Sequence, residues 1–249
     1  MQILLALPAY NEEESLPLVL EAFERDVLGA GLQGRIVLVD DGSTDGTLRV
    51  AREWSSKLPI ELVQHAENRG LGETIEDGLR RAAEIASPED IIVTMDADNT
   101  HSPVLIREMV QRISEGCDVV IASRYRAGSR VVGLSGFRHL MSYGARILFQ
   151  LMCPIPGVRD YTCGFRAYRA RVLQEAFARC QGRLVREQGF ASMAEILLRL
   201  RKMGARMSEV PMVLRYDRKT GAGKMRVGRT VLKTLLLAAR YRFSGQHFC

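Results

Sequence analysis

Asp96-Ala97-Asp98 follows the apolar run Ile91–Met95. Two carboxylates one residue apart at the exit of a buried strand can face the same cleft, because the turn leaving the strand breaks its two-residue alternation. Oxygen donors of this kind suit Mg²⁺ or Mn²⁺, which can bridge the oxygens of a diphosphate and take up charge as it leaves. Taken alone, the commoner reading of such a pair is a polar loop or helix cap. Asp40-Asp41-Gly42-Ser43, after Ile36–Val39, carries the same ambiguity. Asp40 stands where a carboxylate can accept from a base or ribose, while Ser43 or Thr44 with Asp45 can simply cap a helix starting near Gly46. Glu12, in Pro8-Ala9-Tyr10-Asn11-Glu12 after Ile3–Leu7, is either a ribose contact or a first-turn acid, the role that suits Glu13 and Glu14. A fourth run, Val119–Ala122, leads into Ser123-Arg124-Tyr125.

These side chains converge only if their strands lie side by side. Short apolar, β-branched runs at Ile3–Leu7, Ile36–Val39, Ile60–Val63, Ile91–Met95 and Val119–Ala122 alternate with helical patterns near 14–28, 46–56, 73–86 and 103–115. That succession predicts an α/β fold, a mostly parallel sheet flanked by helices on both faces. In such sheets ligands collect beyond the carboxyl ends of the strands. After Tyr125 the alternation stops. A Gly-rich connection is followed by an amphipathic stretch over Arg138–Met152, a loop holding Asp160 and Gly164-Phe165-Arg166, a helix near 191–202 and a strand pair around Met207–Tyr216. A flexible Gly221-Ala222-Gly223 segment and a basic amphipathic helix over Arg226–Phe243 complete the chain. The expected division is a catalytic domain over 1–225, with a donor half at 1–125 and an acceptor half at 126–225, then a helix and tail over 226–249.

With 249 residues and 47% hydrophobic content, the chain suffices for one sizeable core. Its formal charge of +6 is concentrated late: nine Lys or Arg residues stand against Asp217 between Arg215 and Arg242, which predicts an anionic partner. Five cysteines without a CxxC pair suit free thiols in a reducing compartment, and the start lacks the pattern of a signal peptide, so a cytoplasmic location is expected. No apolar run approaches the roughly 20 residues needed to cross a bilayer; Val231–Tyr241 is interrupted by Lys233 and Arg240.

Taken in order, PAYNEE, DDGSTDGT, DADNTH and SRYRAG form a joint pattern. With it the chain resembles the family-2 glycosyltransferases of GT-A (Rossmann-like) fold, and within them the dolichol-phosphate mannosyltransferase branch of polyprenyl-phosphate glycosyltransferases. The resemblance continues through Gly136-Phe137-Arg138, Ser142, the Asp160–Arg166 segment, Gly189-Phe190, Glu195, Glu209-Val210-Pro211 and Arg218–Lys224. It implies inverting transfer of a hexose, mannose from GDP-mannose, to a polyprenyl or dolichyl phosphate at a membrane surface. Pro8, Tyr10, Asn11 and Glu12 then line the nucleoside pocket and Asp40 meets the base. Asp96 and Asp98, with Ala97 between them, hold Mg²⁺ or Mn²⁺ and the donor diphosphate. Arg124, Arg138 and Ser142 lie near the lipid phosphate.

This assignment is chemically coherent. A guanidinium holds a phosphate in two-point geometry, and a phosphate monoester, already anionic near neutral pH, needs orientation more than a general base. A hydroxyl acceptor would instead need a base, for which His101 is the nearest candidate; its alternative role is to shape the loop. Arg218, Lys219 and Lys224, on a Gly-containing stretch, either close over the diphosphate or form a basic loop at a membrane face. Arg146 reads as the solvated side of its helix. The two amphipathic segments either lie in the headgroup region or pack on the core.

Many relatives carry Ser at the position of Cys163, Gln in the loop of Asn99-Thr100 and Ser at Gly223, which leaves donor and acceptor preference open. They also often add transmembrane helices, so peripheral binding, with or without a separate anchoring subunit, is expected here. Three competing readings are a GT-A enzyme using a UDP-sugar or a hydroxyl acceptor, a nucleotidyltransferase, and a non-catalytic basic nucleotide- or nucleic-acid-binding protein. The acidic PAYNEE loop disfavours the second, and clustered acids at the strand ends disfavour nucleic acid.

Overall fold

The computed structural model describes residues 1–134, 136–189, 191–218 and positions 237, 239 and 241; the side chains of 137–141 are not among the described parts. The first half runs β1 (Ile3–Ala9), α1 (Leu16–Phe23, prolonged by a π-helical turn over Glu24–Leu28), β2 (Gly34–Asp40), α2 (Thr47–Trp54), β3 (Ile60–Gln64), α3 (Leu71–Ile85), β4 (Ile91–Thr94), α4 (Ile106–Ser114) and β5 (Val119–Ser123). The second half adds β6 (Arg130–Val132), α5 (Gly136–Met152), β7 (Arg166–Arg169), α6 (Ala170–Arg179), α7 (Ala191–Lys202), β8 (Met207–Pro211) and β9 (Val213–Arg215).

Strands β1, β2, β4 and β5 are near-continuous apolar runs because helices cover both faces of the sheet, so alternate side chains have no water to meet. The helices bury one stripe each: Thr47, Val50 and Ala51 on α2, and Ile106, Met109, Val110 and Ile113 on α4 recur at three- and four-residue spacing. Seven strands join in the order β3-β2-β1-β4-β7-β5-β8. All pairings are parallel except those of β7, which runs antiparallel between β4 and β5 with Arg166 opposite both Thr94 and Ile121. The expected mostly parallel α/β architecture is therefore present, and the two halves of the chain share one sheet.

Several elements differ from the sequence expectation. β7 and α6 occupy a region read as loop, since Arg-Ala-Tyr-Arg is short and lacks an apolar run. β6 was likewise unanticipated. The strands expected as a pair near 207–216 do not pair with each other: β8 lies along β5 and β9 along β6. Only Met212 separates them, too little chain for a hairpin turn, and its N–H is drawn to Ser123 O at 3.1 Å.

Among the described residues no helix is long and apolar enough to cross a membrane. The expected helix over 226–243 and the boundary at 225 lie outside the described residues, apart from helical positions 237, 239 and 241. Cys117, Cys153 and Cys163 form no disulfide. Cys180 is disulfide-bonded, which corrects the free-thiol expectation for that residue; pairing follows from where the fold brings sulfurs together, which spacing alone does not reveal.

Candidate active site

The carboxyl ends of β1, β2 and β4 lie side by side, and the loops leaving them are tied together. Asn11, at φ 53°, receives Thr44 N–H on its side-chain carbonyl at 2.8 Å and donates its own N–H to Ser43 Oγ at 3.0 Å. Glu12 N–H reaches Thr47 Oγ1 at 2.8 Å, and Ser15 Oγ donates to Glu12 Oε2 at 2.6 Å. Asn11, expected at the nucleoside, thus also ties the two loops together. Pro8, Tyr10 and Glu12 are half-buried in this first loop.

Asp40 and Asp41 divide their labour. Asp41 is buried and accepts from His65 Nδ1 at 2.7 Å and from Asn68 Nδ2, Arg69 N–H and Gly70 N–H, each at 2.9 Å. It fixes the loop after β3 against the loop after β2. Gly42, at φ +68°, permits this approach, because a Cβ there would stand 2.5 Å from the Glu67 carbonyl carbon. Asp40, at the very end of β2, is equally buried, yet its Oδ1 has no hydrogen-bond partner. A buried carboxylate acceptor without a donor at a strand end fits a ligand that brings N–H or O–H groups.

Beyond β4, ligand atoms of Asp96, Asp98 and His101 all lie within 4.8 Å of one another. Asp98 is held by Thr100, whose N–H and Oγ1 donate to Oδ1 at 3.2 and 2.6 Å. His101 is buried, with its ring 5.3 Å from that of Phe165. Its Nδ1 has no hydrogen-bond partner and stands 4.0 Å from Asp96 Oδ2. Two carboxylate donors and an orphaned imidazole nitrogen form a donor set suited to Mn²⁺ or Mg²⁺. The sequence offered His101 as a base or a loop-shaping residue; the fold makes it a third candidate ligand, a role that its spacing after the aspartates only hinted at. Ala97 is buried between the two aspartates.

The Asp160–Arg166 segment adjoins this cluster, since a Cβ on Gly164 would lie 3.2 Å from Asp96 Oδ1. Arg124, expected near the lipid phosphate, is paired with Asp160. Its Nε and Nη2 donate to the two oxygens of Asp160 at 2.7 and 2.6 Å, and Nη2 also reaches Thr162 Oγ1 at 2.7 Å. Burial alone would push the Asp160 carboxyl up, but the charge and hydrogen bonds of Arg124 outweigh it and hold it below the ordinary 3.8. Ser142, on α5, shares a 2.6 Å hydrogen bond with the Tyr125 hydroxyl. Arg138 lies on α5 four residues earlier, and its side chain is outside the described parts. Arg218 is exposed at the end of a 3₁₀ turn, and Lys224, with the rest of the basic segment, lies outside the described residues.

Further buried carboxylates lie in the second half of the chain. Glu195 accepts from Arg186 and Glu187 N–H at 2.8 Å each and from Arg199 Nη2 at 2.7 Å. Glu209 accepts Arg159 and Asp160 N–H on Oε1 at 2.6 and 2.7 Å. Burial pushes the Glu209 carboxyl above the ordinary 4.5, against those two N–H groups. The fold then binds this proton more tightly than the unfolded chain does, so this term lowers stability as pH rises from about the ordinary value through the raised one. Glu209→Gln keeps the Oε1 acceptor and removes the charge. Thermal melts over a pH series should show a melting temperature near neutrality no lower than wild type's, with a smaller decline across that window.

Residues 5–177 match the family model described as Glycosyl transferase family 2. The chain belongs to the family 2 glycosyltransferases. It is 32% identical to the dolichol-phosphate mannosyltransferase of Pyrococcus furiosus, over 94% of this chain and 62% of that protein, and so spans less than two thirds of that relative's length. It is 31% identical to the undecaprenyl-phosphate mannosyltransferase of Micrococcus luteus, over 98% of this glycosyltransferase and 97% of that one. Among solved structures, glucosyl-3-phosphoglycerate synthase from Mycobacterium tuberculosis, in complex with Mn²⁺, UDP and glucosyl-3-phosphoglycerate, matches with a TM-score of 0.67 at 18% identity. That match covers 98% of this chain and 80% of that one, a likeness of fold.

Proposed function

We propose that this glycosyltransferase moves mannose from GDP-mannose to a polyprenyl phosphate, with inversion, at a membrane surface. The observation that carries the acceptor assignment is the state of the buried carboxylates on that side. Asp160 and Glu195 are turned inward onto backbone N–H groups and an arginine, and Glu209 takes two N–H groups on Oε1 while its unpartnered Oε2 is buried, so none presents an exposed carboxylate as a general base. His101, the other candidate base, faces the two aspartates. A hydroxyl acceptor would need such a base, whereas a phosphate monoester supplies an anionic oxygen ready to attack. The curated relatives, named for transfer to dolichol phosphate and undecaprenyl phosphate, support the same acceptor class.

In this reading a phosphate oxygen forms a bond to the anomeric carbon from the face opposite the donor diphosphate. The bond from that carbon to the diphosphate oxygen breaks, and GDP departs with the electron pair. A divalent cation held by Asp96, Asp98 and His101 would stabilise charge developing on the leaving diphosphate. Asp40 would accept from the base; guanine offers adjacent N1–H and N2–H donors, which suits a carboxylate, an acceptor-only group. Tyr10, Glu12 and Pro8 would frame the nucleoside. The basic segment with Arg218, Lys219 and Lys224 would close over the diphosphate, and the division of the chain at 225 belongs to the same proposal. Tyr143, Ile147 and Leu151 are exposed at four-residue spacing on α5, an apolar stripe that supports contact with a bilayer, and a cytoplasmic face belongs to the same proposal.

The test is a transfer assay with Mn²⁺ or Mg²⁺, radiolabelled GDP-mannose or UDP-glucose in separate reactions, and a polyprenyl phosphate in detergent. Label from GDP-mannose extracted into the lipid phase, dependent on the metal, is expected. Label from UDP-glucose alone would replace the donor. No lipid label with either donor, together with metal-dependent nucleotide binding, would sink the lipid-phosphate assignment for these donors and turn the search to a hydroxyl acceptor or an anchoring subunit.

A further inference from the structure

Arg166, the first residue of β7, is fully buried, and its hydrogen-bond partners are neutral. Nη1 donates to the Met193 carbonyl in the first turn of α7 and Nη2 to the Tyr161 carbonyl at 2.7 Å, while Nε has no hydrogen-bond partner. Among the described residues no carboxylate stands within ion-pair distance of it. An apolar side chain of similar length would fill this place without taking a guanidinium out of water. Packing alone therefore does not account for an arginine here.

The two residues before it border two of the three candidate metal ligands. A Cβ on Gly164 would lie 3.2 Å from Asp96 Oδ1, and the Phe165 ring lies 5.3 Å from that of His101. Two ties fasten this short stretch to strands: Thr94 Oγ1 on β4 donates to the Gly164 carbonyl at 2.7 Å, and Ala122 N–H on β5 donates to the Phe165 carbonyl at 3.0 Å. Arg166 provides the tie to a helix, since it joins the stretch to α7 and also to Tyr161, where the turn begins. A guanidinium suits this task. Its planar fork aims several N–H donors at fixed angles, so one side chain holds two carbonyls, and its permanent charge strengthens both bonds.

We propose that Arg166 is a positioning residue for the divalent cation. By holding the Tyr161 and Met193 carbonyls together it seats the Gly164-Phe165 backbone against Asp96 and His101, and so fixes the spacing of the Asp96, Asp98 and His101 donors. This rests on the metal reading of that cluster and extends it to a residue that touches none of the three. Groups that orient metal ligands without meeting the metal typically change its affinity by about ten- to a hundred-fold when lost.

Mn²⁺ binding followed by electron paramagnetic resonance, first with the full chain alone and then with GDP, tests the assignment on wild type, Arg166→Met, Arg166→Lys and Leu58→Ala. Thermal melts set a temperature at which all are folded. Leu58, buried just before β3 at the far edge of the sheet, controls for lost stability alone. Wild type is expected to bind Mn²⁺, and Arg166→Met to weaken it by about ten- to a hundred-fold, with diminished coupling to the imidazole nitrogen. Arg166→Lys should fall between, because it keeps the charge and loses the fork. Leu58→Ala should stay within about twofold, since distant sites without shared partners act independently. Should Arg166→Met not fold, Arg166→Lys decides by the same signals. Wild-type affinity and nitrogen coupling in the Arg166 variants would overturn the positioning role, as would an equal loss of affinity in Leu58→Ala. The two readings separate: a wild type that binds neither Mn²⁺ nor Mg²⁺ removes the metal reading and the positioning role with it, whereas wild-type binding indifferent to Arg166 removes the positioning role alone.

Discussion

Asp98→Asn is expected to lower transfer about a thousand-fold while leaving the fold intact. Asparagine keeps an Oδ1 that can accept from Thr100 N–H and Oγ1, so the local loop retains both hydrogen bonds. What disappears is one anionic ligand of the Asp96, Asp98 and His101 cluster. Stabilising charge on a leaving diphosphate is worth several kcal/mol, and about 4 kcal/mol corresponds to the thousand-fold loss. The expected signature has three parts: an unchanged melting temperature, loss of the Mn²⁺-dependent gain in nucleotide affinity, and a fall in kcat. Mn²⁺ binding can be followed by electron paramagnetic resonance without substrate. Coupling to a nitrogen nucleus in the wild-type signal, absent in His101→Gln, would place the imidazole on the metal. Retention of full activity by Asp98→Asn would remove the metal role from this cluster.

Asp160→Ala is expected to cost about 3–5 kcal/mol of stability, because it strands a largely buried guanidinium. The Asp160 carboxylate receives Nε and Nη2 of Arg124, the Arg124 N–H at 3.0 Å and the Cys163 N–H at 3.1 Å, so the change leaves several donors without an acceptor. For a chain of this length each kcal/mol moves the melting temperature by roughly 2–4 °C, which predicts a fall of about 10 °C. Replacing both partners by apolar residues, Arg124→Met with Asp160→Leu, should recover much of it, since no buried charge is then left unpaired. The pH dependence has a definite sign. Because the folded Asp160 value is depressed, its contribution is complete above the ordinary 3.8 and is lost as pH falls through the folded value. Asp160→Ala should therefore flatten the acid limb of the stability curve. A change of only one or two degrees would mean that the pair contributes little.

The sequence by itself determined the parts governed by local pattern. Continuous apolar runs between helical periods specified strands buried on both faces and hence a parallel sheet, and polar residues directly after those runs singled out Asp40, Asp96 and Asp98, which the fold sets at the carboxyl edge of that sheet. Both features are decided within a few residues, where side-chain period and strand length act. The tertiary structure decided the pairings. Arg124 meets Asp160 across 36 residues only because β7 inserts antiparallel between β4 and β5, and a four-residue strand containing two arginines carries no periodic signal of that insertion. Arg166 is fully buried there, donating to the Tyr161 and Met193 carbonyls, which no rule about charged residues would foresee. In the same way Asn11 gains a part in tying two loops together, and Arg146 turns from a solvated residue into a cation beside the rings of Tyr125 and Tyr143. A side chain's type limits the bonds it can make, but the order of strands in the sheet chooses its partner, and that order is a property of the whole packed chain.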